Sequence, residues 1–144
     1  VGAPDIGAAE YLGDPVIANL ISLWNQDSDL DGSSYGVEYA LGTNPAVSDR
    51  SNSRNLTTPT INGSGHAVLS FGLNSSAVAA TRWVLQRSAD LSPGSFTDVY
   101  RFNGTTDTTA SGITVVRTAN SVTITDANPP SGKGFYRFKA EISQ

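Results

Sequence analysis

The chain has 144 residues, of which only 15% are charged, with no cysteine, no methionine and a single histidine. That length suits one domain, or one domain with a small appendage, and can bury a hydrophobic core without a disulfide or a metal. The lack of cysteine excludes thiol redox chemistry and thiolate zinc sites. The net charge is −4, and the bases are scattered, so the sequence predicts no nucleic-acid partner.

The amino-acid composition favours a β-rich extracellular protein. Gly, Ser, Thr and Asn are plentiful, whereas the helix formers Lys and Glu are scarce. The chain opens Val-Gly-Ala-Pro rather than with Met, for which removal of a secretory signal is the simplest explanation and trimming of the expressed chain the alternative. No apolar run approaches ~18 residues, so no membrane span is predicted. We expect a secreted or cell-surface protein.

The N-terminal part predicts a lead-in followed by a helix. Residues 1–13 are rich in Gly and Ala without a clear period, and an ordered lead-in of this kind could contact a neighbouring subunit. Asp14 as N-cap and Pro15 at the first helical position then start a helix. Its apolar residues recur at spacings of three and four: Val16, Ile17, Leu20, Ile21, Leu23 and Trp24.

An acidic loop follows this helix at once. The segment 27–38 reads DSDLDGSSYGVE and holds four of the thirteen acids of the chain but no base, so the whole net charge resides there. It fits the calcium template D-x-[DN]-x-[DN]-G-x5-E at every specified position, with Gly32 at the sharp turn. The predicted ligands are Asp27, Asp29, Asp31, Ser33 through its backbone carbonyl, and Glu38 through both carboxylate oxygens.

The residue types suit Ca²⁺, which takes ~6–8 oxygen ligands. Tyr35 at position 9 is not a usual ligand, so a bridging water is expected there. The alternative is a solvated acidic turn that uses Asp and Gly for turn chemistry alone. Mg²⁺ is disfavoured because it keeps more of its own water. With one loop and no Met-rich groove, a structural role is favoured over a sensor role.

Turn residues separate the elements predicted in the second half of the helix–loop–helix (14–45) and in the rest of the chain. A helix is predicted over Tyr35–Leu41, ended by Gly42, and a polar linker over 46–55. Beyond it, over 56–144, the period changes to two, which predicts an antiparallel β-sandwich. The seven predicted strands are 56–61, 67–73, 81–88, 96–104, 112–118, 121–126 and 134–142.

Three stretches resemble a known kind of secreted module. DSDLDGSSYGVEYALGTNP resembles the D-x-D-x-D-G-x-x-N-x-x-E-Y-x-x-G-T-x-P segment of secreted bacterial proteins, akin to thrombospondin type 3 and dockerin calcium repeats. Tyr35 departs from its usual Asn. WVLQRSADLSPGSFTDV and TDANPPSGKGFYRFKAEI are similar to the strands that follow such loops in Verrucomicrobia-like secreted proteins. The resemblance implies an immunoglobulin- or fibronectin III-like sandwich and a non-catalytic surface or matrix module.

Three functions are compared on this basis. An enzyme is disfavoured because His66 is the only imidazole and no nucleophile motif is present. A carbohydrate-binding or adhesion module would need exposed aromatics, for which Trp83, Tyr100, Phe102 and Tyr11 are available, although Trp83 is predicted to be in the core. The favoured interpretation is a calcium-stabilised extracellular building block that assembles with other copies of itself into a filament or matrix. An extracellular glycan is the alternative partner.

Overall fold

The computed structural model describes residues 22–48, 50–78 and 81–142. The predicted lead-in 1–13 and all but the end of the first predicted helix lie outside the described residues. Within them the chain forms one α-helix and eight strands. Their bounds are α1 Tyr35–Leu41, β1 Thr60–Ile61, β2 Ala67–Gly72, β3 Thr81–Ser88, β4 Thr97–Phe102, β5 Asp107–Thr109, β6 Ile113–Arg117, β7 Ser121–Asp126 and β8 Phe135–Ile142.

The strands form two antiparallel sheets of four. The first sheet has the order β1-β2-β7-β6 and the second the order β5-β4-β3-β8. All strand pairs are antiparallel, and β3 lies in the middle of the second sheet between β4 and β8. The predicted β6–β7 hairpin across Ala119-Asn120 is confirmed by the register Arg117↔Val122.

The two sheets share one hydrophobic core, in a β-sandwich-like arrangement. Alternate side chains of β2 point into it, as the period of two predicts, and Phe71 approaches Phe138 of the other sheet with ring centroids 4.9 Å apart. Trp83 is 1% exposed, which confirms its predicted place in the core. The buried members are Leu41, Leu69, Phe71, Leu73, Trp83, Leu85, Val99, Tyr100, Phe102, Ile113, Val122 and Ile124.

Helix α1 begins and ends where the sequence predicts. Ser34 is the N-cap, and its side chain accepts a hydrogen bond from the Val37 backbone. Gly42 closes the helix with φ 85°, a left-handed conformation that glycine adopts without strain, and its N–H donates to the Glu38 carbonyl. A helix of two turns has little stability of its own, so α1 depends on packing against the sheets.

Two details of the strands differ from the prediction. The first strand was predicted over 56–61 but comprises only Thr60–Ile61. Strand β5 was not predicted at all, because Asp107–Thr109 is short, polar and mostly exposed. It exists because it pairs with β4, Tyr100 opposite Thr109, which is a long-range contact without a hydrophobic pattern of its own. None of the described helices is long and apolar enough to cross a membrane.

Candidate metal site in the acidic loop

The loop between the predicted first helix and α1 turns sharply at two positions. Leu30 has φ 61° and Gly32 has φ 98°, both in the left-handed region. Glycine adopts this conformation freely, whereas leucine does so at a steric cost, and the Leu30 side chain is 77% exposed. The two turns fold the backbone back on itself and bring alternate side chains to one side of the loop.

Three of the predicted ligands meet on that side. Asp27, Asp29 and Asp31 each offer a carboxylate oxygen, and these oxygens all lie within 4.8 Å of one another. Backbone N–H groups donate to the cluster: Asp31 to Asp27 Oδ1 at 3.2 Å, and Gly32 to Asp27 Oδ2 at 3.0 Å. Ser33 N–H donates to Asp31 Oδ1 at 2.9 Å. The arrangement is a group of oxygens that could bind a metal ion.

Asp29 carries the clearest sign that the protein does not complete this site by itself. Its Oδ1 accepts a hydrogen bond from the Asp31 backbone at 3.3 Å, but its Oδ2 is buried and accepts none from the described residues. Burial raises the pKa of this carboxyl, and the neighbouring charges of Asp31 and Asp27 raise it further, against the backbone hydrogen bond, which lowers it. A buried carboxylate oxygen without a donor is costly unless a cation binds it.

The other two predicted ligands, Ser33 and Glu38, are not members of this group of three. Ser33 follows Gly32 and is half-buried. Glu38 lies in the first turn of α1 and is 1% exposed, and its Oε1 accepts a hydrogen bond from the Thr43 hydroxyl at 3.4 Å. Glu38 is not a member of the group of three whose oxygens lie within 4.8 Å of one another. Its burial at the end of the loop is nevertheless unusual for a carboxylate.

The two ends of the loop are tied together by backbone hydrogen bonds. Tyr35 N–H donates to the Gln26 carbonyl at 2.7 Å, and Gly36 N–H donates to the Trp24 carbonyl at 3.0 Å. The Trp24 indole packs directly on Gly36, where any Cβ would overlap the ring. Orphan N–H groups of the α1 N-terminus are thus satisfied by the segment that precedes the loop.

Two side chains join the loop to the rest of the molecule. Trp24, only 9% exposed, donates from Nε1 to the Ala140 carbonyl of β8 at 3.2 Å. Arg50, from the predicted linker, donates to the carbonyls of Asp31 at 2.7 Å and Leu30 at 3.0 Å. A second linker residue, Arg54, caps the α1 C-terminus through the Leu41 carbonyl at 2.8 Å. The linker 46–55 therefore has packing roles that the sequence analysis did not assign to it.

The candidate residues for other functions lie apart from the acidic loop. His66 is half-buried beside the β1–β2 turn, where its backbone N–H donates to Asn62 Oδ1 at 3.0 Å. Of the aromatics considered for sugar binding, Trp83, Tyr100 and Phe102 are at most 2% exposed. Tyr11 lies outside the described residues.

A buried polar network at the end of β7 was not predicted from the sequence. The Asp126 carboxylate is fully buried and receives Arg87 Nη1 at 2.6 Å, the Tyr136 hydroxyl at 2.8 Å and the Asn128 backbone N–H at 2.8 Å. Burial and the hydrogen bond to Asp126 both raise the pKa of Tyr136. Asn128 is two residues from Asp126, but Arg87 and Tyr136 are 39 and 10 residues away, so no local signal marks these two partners.

A second polar network, which is partly exposed, joins Tyr100, Asp107 and Arg117. The Tyr100 hydroxyl donates to Asp107 Oδ1 at 2.7 Å, and Arg117 forms a salt bridge to the same carboxylate at 3.1 Å. Burial raises the pKa of Tyr100. Because each donor in both networks has an acceptor, these networks are suited to stability.

No protein-family model matches the chain, and no curated protein is significantly similar to it. Over the residues that it describes, the structure defines two four-stranded antiparallel sheets, the helix α1 and a cluster of three aspartates in the adjoining loop.

Proposed function

We propose that the acidic loop binds one Ca²⁺. The observation that carries this proposal is the buried Asp29 Oδ2, which accepts no hydrogen bond from the described residues while two further carboxylates lie within 4.8 Å. Asp27, Asp29 and Asp31 would supply three ligands, and the Ser33 carbonyl and Glu38 would complete the shell as the template predicts. Two positive charges would halve the loop charge of −4.

The role we propose for this ion is structural. The loop is fixed to the second sheet through Trp24 and Ala140, and the exposed carbonyls of the turn are held by Arg50. A cation that holds the three aspartates together would stiffen both attachments. Ca²⁺ that binds the folded chain and not the unfolded one raises the free energy of unfolding by mass action.

We further propose that the chain is a secreted, non-catalytic building block that assembles with other copies of itself outside the cell. The Ser-, Thr-, Gly- and Asn-rich composition without thiols and the resemblance to secreted calcium modules support this function. The looser resemblance to immunoglobulin or fibronectin III domains belongs to the same proposal, and the two-sheet architecture is compatible with it.

Electron microscopy and sedimentation velocity of the purified chain test this function. We expect ordered assemblies in Ca²⁺ that dissociate when a chelator is added and re-form when Ca²⁺ is restored. The matched control is the double variant Asp27→Asn/Asp31→Asn, which should behave in Ca²⁺ as the wild type does in chelator. A chain that sediments as a monomer at every concentration, with and without Ca²⁺, would contradict the assembly proposal.

A glycan-binding role is the second candidate, supported by one cleft. A cavity of about 310 Å³ beside α1 is lined by Tyr35 and Tyr39 together with polar side chains that include Asn74 and Asn120. Aromatic faces combined with amide groups suit the apolar and hydroxyl faces of a sugar. Binding of the monodisperse chain to a glycan array, lost in Tyr39→Ala and retained in Val116→Ala, would favour this candidate.

A further inference from the structure

The inference rests on the outer edge of strand β8. This strand pairs with β3 along its full length, from Ser88↔Phe135 to Thr81↔Ile142, and is the last strand of the second sheet. Among the residues the structure describes, no strand pairs with its other side. Since the backbone groups of a strand point alternately to its two sides, about half of the N–H and C=O groups of β8 point away from β3.

The two halves of this edge differ in what covers them. At the C-terminal half, Trp24 donates to the Ala140 carbonyl, and Tyr35 and Tyr39 of α1 belong to the same apolar cluster. The N-terminal half, Phe135–Phe138, has no such cover among the described residues. Its apolar side chains remain half-buried although β8 packs on the central strand of its sheet.

A groove runs along this N-terminal half. Three cavities of about 470, 600 and 430 Å³ adjoin one another, the first two sharing Leu56 and the last two sharing Pro59 and Tyr136. One wall is β8 and the other is the segment 55–61, which leads into β1 of the opposite sheet. We call this feature the β8 groove, defined by Leu56, Thr58, Pro59, Phe135, Tyr136 and Phe138.

Exposed apolar side chains lie on the rim of the β8 groove, beside polar lining residues that include Arg50 and Arg137. Among the large hydrophobic residues that the structure describes as exposed, Leu91 at 56% and Ile61 at 64% both line it. A groove that combines unpaired strand backbone with half-buried apolar side chains fits an extended peptide. Such a peptide would pair with the edge and place alternate side chains between the sheets.

We propose that the β8 groove binds the N-terminal segment, residues 1–13, of a second copy of the chain as an added strand. This rests on the proposed self-assembly and names its contact. Thirteen extended residues span up to ~43–47 Å, more than the ~27 Å of an eight-residue strand such as β8. The segment is therefore long enough to pair along the uncovered N-terminal half of the β8 edge.

Charge also matches the two surfaces. Residues 1–13 contain Asp5 and Glu10 and no base. On the outer face of β8, Lys139 is exposed, and exposed Arg137 already donates to Gln86 Oε1 at 2.8 Å and lies 4.0 Å from the centre of the Phe96 ring. Asp5 and Glu10 are five positions apart, so in one strand their carboxylates point to opposite faces and one of the two can lie beside these bases. Opposite charges on adjacent strands stabilise their pairing, and Gly and Ala along the segment permit a close approach to the edge.

Disulfide trapping in the full chain tests this contact, since the chain has no cysteine of its own. Donor copies carry Ala3→Cys, Ile6→Cys or Ala9→Cys, and acceptor copies carrying a mass tag have Thr58→Cys in the groove. After mixing in Ca²⁺ and mild oxidation, we expect at least one donor to form the interchain disulfide with the Thr58→Cys acceptor about tenfold faster than with a control acceptor, because binding raises the local thiol concentration. The control acceptor is Val116→Cys, which is 60% exposed on β6 at the edge of the other sheet.

The outcomes separate this inference from the proposed function. Assemblies that form with no preference for the groove acceptor would overturn the groove contact and leave self-assembly intact. A double variant with Ile6→Cys and Thr58→Cys that closes within one chain would overturn the exchange between copies. A chain that stays monomeric in Ca²⁺ would overturn both.

Discussion

The Asp126 carboxylate and the cluster of three aspartates in the acidic loop have different kinds of partner. Asp126 is fully buried, and the protein supplies its partners: a guanidinium, a hydroxyl and a backbone N–H, all within 2.8 Å. In the acidic loop, only backbone N–H groups donate to Asp27 and Asp29, and neither has a salt bridge among the described residues. One buried oxygen of Asp29 has no donor there.

This contrast supports the proposed cation site in the acidic loop. Leaving a buried charge unpaired is strongly unfavourable, so a carboxylate without a base partner is a candidate for protonation or for a metal ligand. The Asp126 site has its base in Arg87, whereas the acidic loop contains none. We therefore expect changes at Asp126 to act independently of Ca²⁺, and changes in the loop to depend on it.

The largest expected effect is that of Asp126→Ala. This variant removes the acceptor of the Tyr136 hydroxyl and the carboxylate partner of Arg87, which is 23% exposed and keeps a hydrogen bond to the Asn128 carbonyl at 3.0 Å. The loss should lower the free energy of unfolding by ~3 kcal/mol, the low end of the range for breaking a buried ion pair. Urea denaturation with and without Ca²⁺ measures this loss, which should be the same in both conditions. The matched control is Asp98→Ala, whose exposed salt bridge to Arg101 should contribute at most ~1 kcal/mol. Equal losses in the two variants would contradict the importance of burial here.

The next effect is that of Ca²⁺ itself. At a free Ca²⁺ concentration one hundred times the dissociation constant, binding should add ~2.7 kcal/mol to the free energy of unfolding. The same urea experiment on Asp27→Asn/Asp31→Asn should show no difference between Ca²⁺ and chelator. An undiminished Ca²⁺ effect in the double variant would place the ion elsewhere in the chain.

Gly36→Ala probes the packing that ties the loop ends together. The new Cβ would overlap the Trp24 indole, so the ring must move, at a cost of ~1–3 kcal/mol for overpacking. Because Trp24 also holds β8, we expect weaker Ca²⁺ binding together with lower stability. Gly63→Ala, where no atom lies within 4 Å of the added Cβ, is the control and should change neither. Normal Ca²⁺ affinity in Gly36→Ala would show that the metal site does not depend on this contact.

The smallest effect is that of Asp29→Asn, whose effect on the free energy of unfolding should change sign between chelator and Ca²⁺. A raised pKa means that the folded, metal-free chain binds a proton more readily there than the unfolded chain, so the charged carboxylate destabilises the fold at neutral pH, and acidification relieves this. Asp29→Asn should therefore raise stability slightly in chelator and lower it in Ca²⁺, where a ligand is lost.

Asp98→Asn supplies the opposite case for comparison. Hydrogen bonding from Gln86, followed by Arg101, lowers the pKa of Asp98, so its contribution to stability is present above the unfolded value of 3.8 and is lost as the pH falls through the lower folded value. This variant should be destabilised with and without Ca²⁺ at pH 7. If Asp29→Asn destabilised the metal-free chain equally, the unfavourable burial of the Asp29 carboxylate would be disproved.

The described elements of the fold that have a local sequence signal were predicted correctly. The C-terminal end of α1 follows from Gly42, and the β6–β7 hairpin follows from its turn. Strand β5 has no hydrophobic pattern and was missed because only its pairing with β4 defines it. The same limit applies to the cap that Arg54 places on α1, since that contact spans distant segments of the chain.

The candidate site was likewise predictable only where the sequence carries a local motif. The template located Asp27, Asp29 and Asp31, and the structure brings their oxygens together. Template spacing cannot indicate that Arg50 from the linker holds the turn or that Trp24 reaches the Ala140 carbonyl, because both contacts depend on the tertiary fold. The ligand roles of Ser33 and Glu38 stay predictions.

Calorimetric titration of Ca²⁺ into metal-stripped protein tests whether the acidic loop binds Ca²⁺. We predict saturable binding with one Ca²⁺ per chain, much weaker heat with Mg²⁺, and no binding to the Asp27→Asn/Asp31→Asn variant. A folded, metal-stripped chain that gives no Ca²⁺ binding signal at any temperature tested would contradict the proposal that a cation completes the acidic loop.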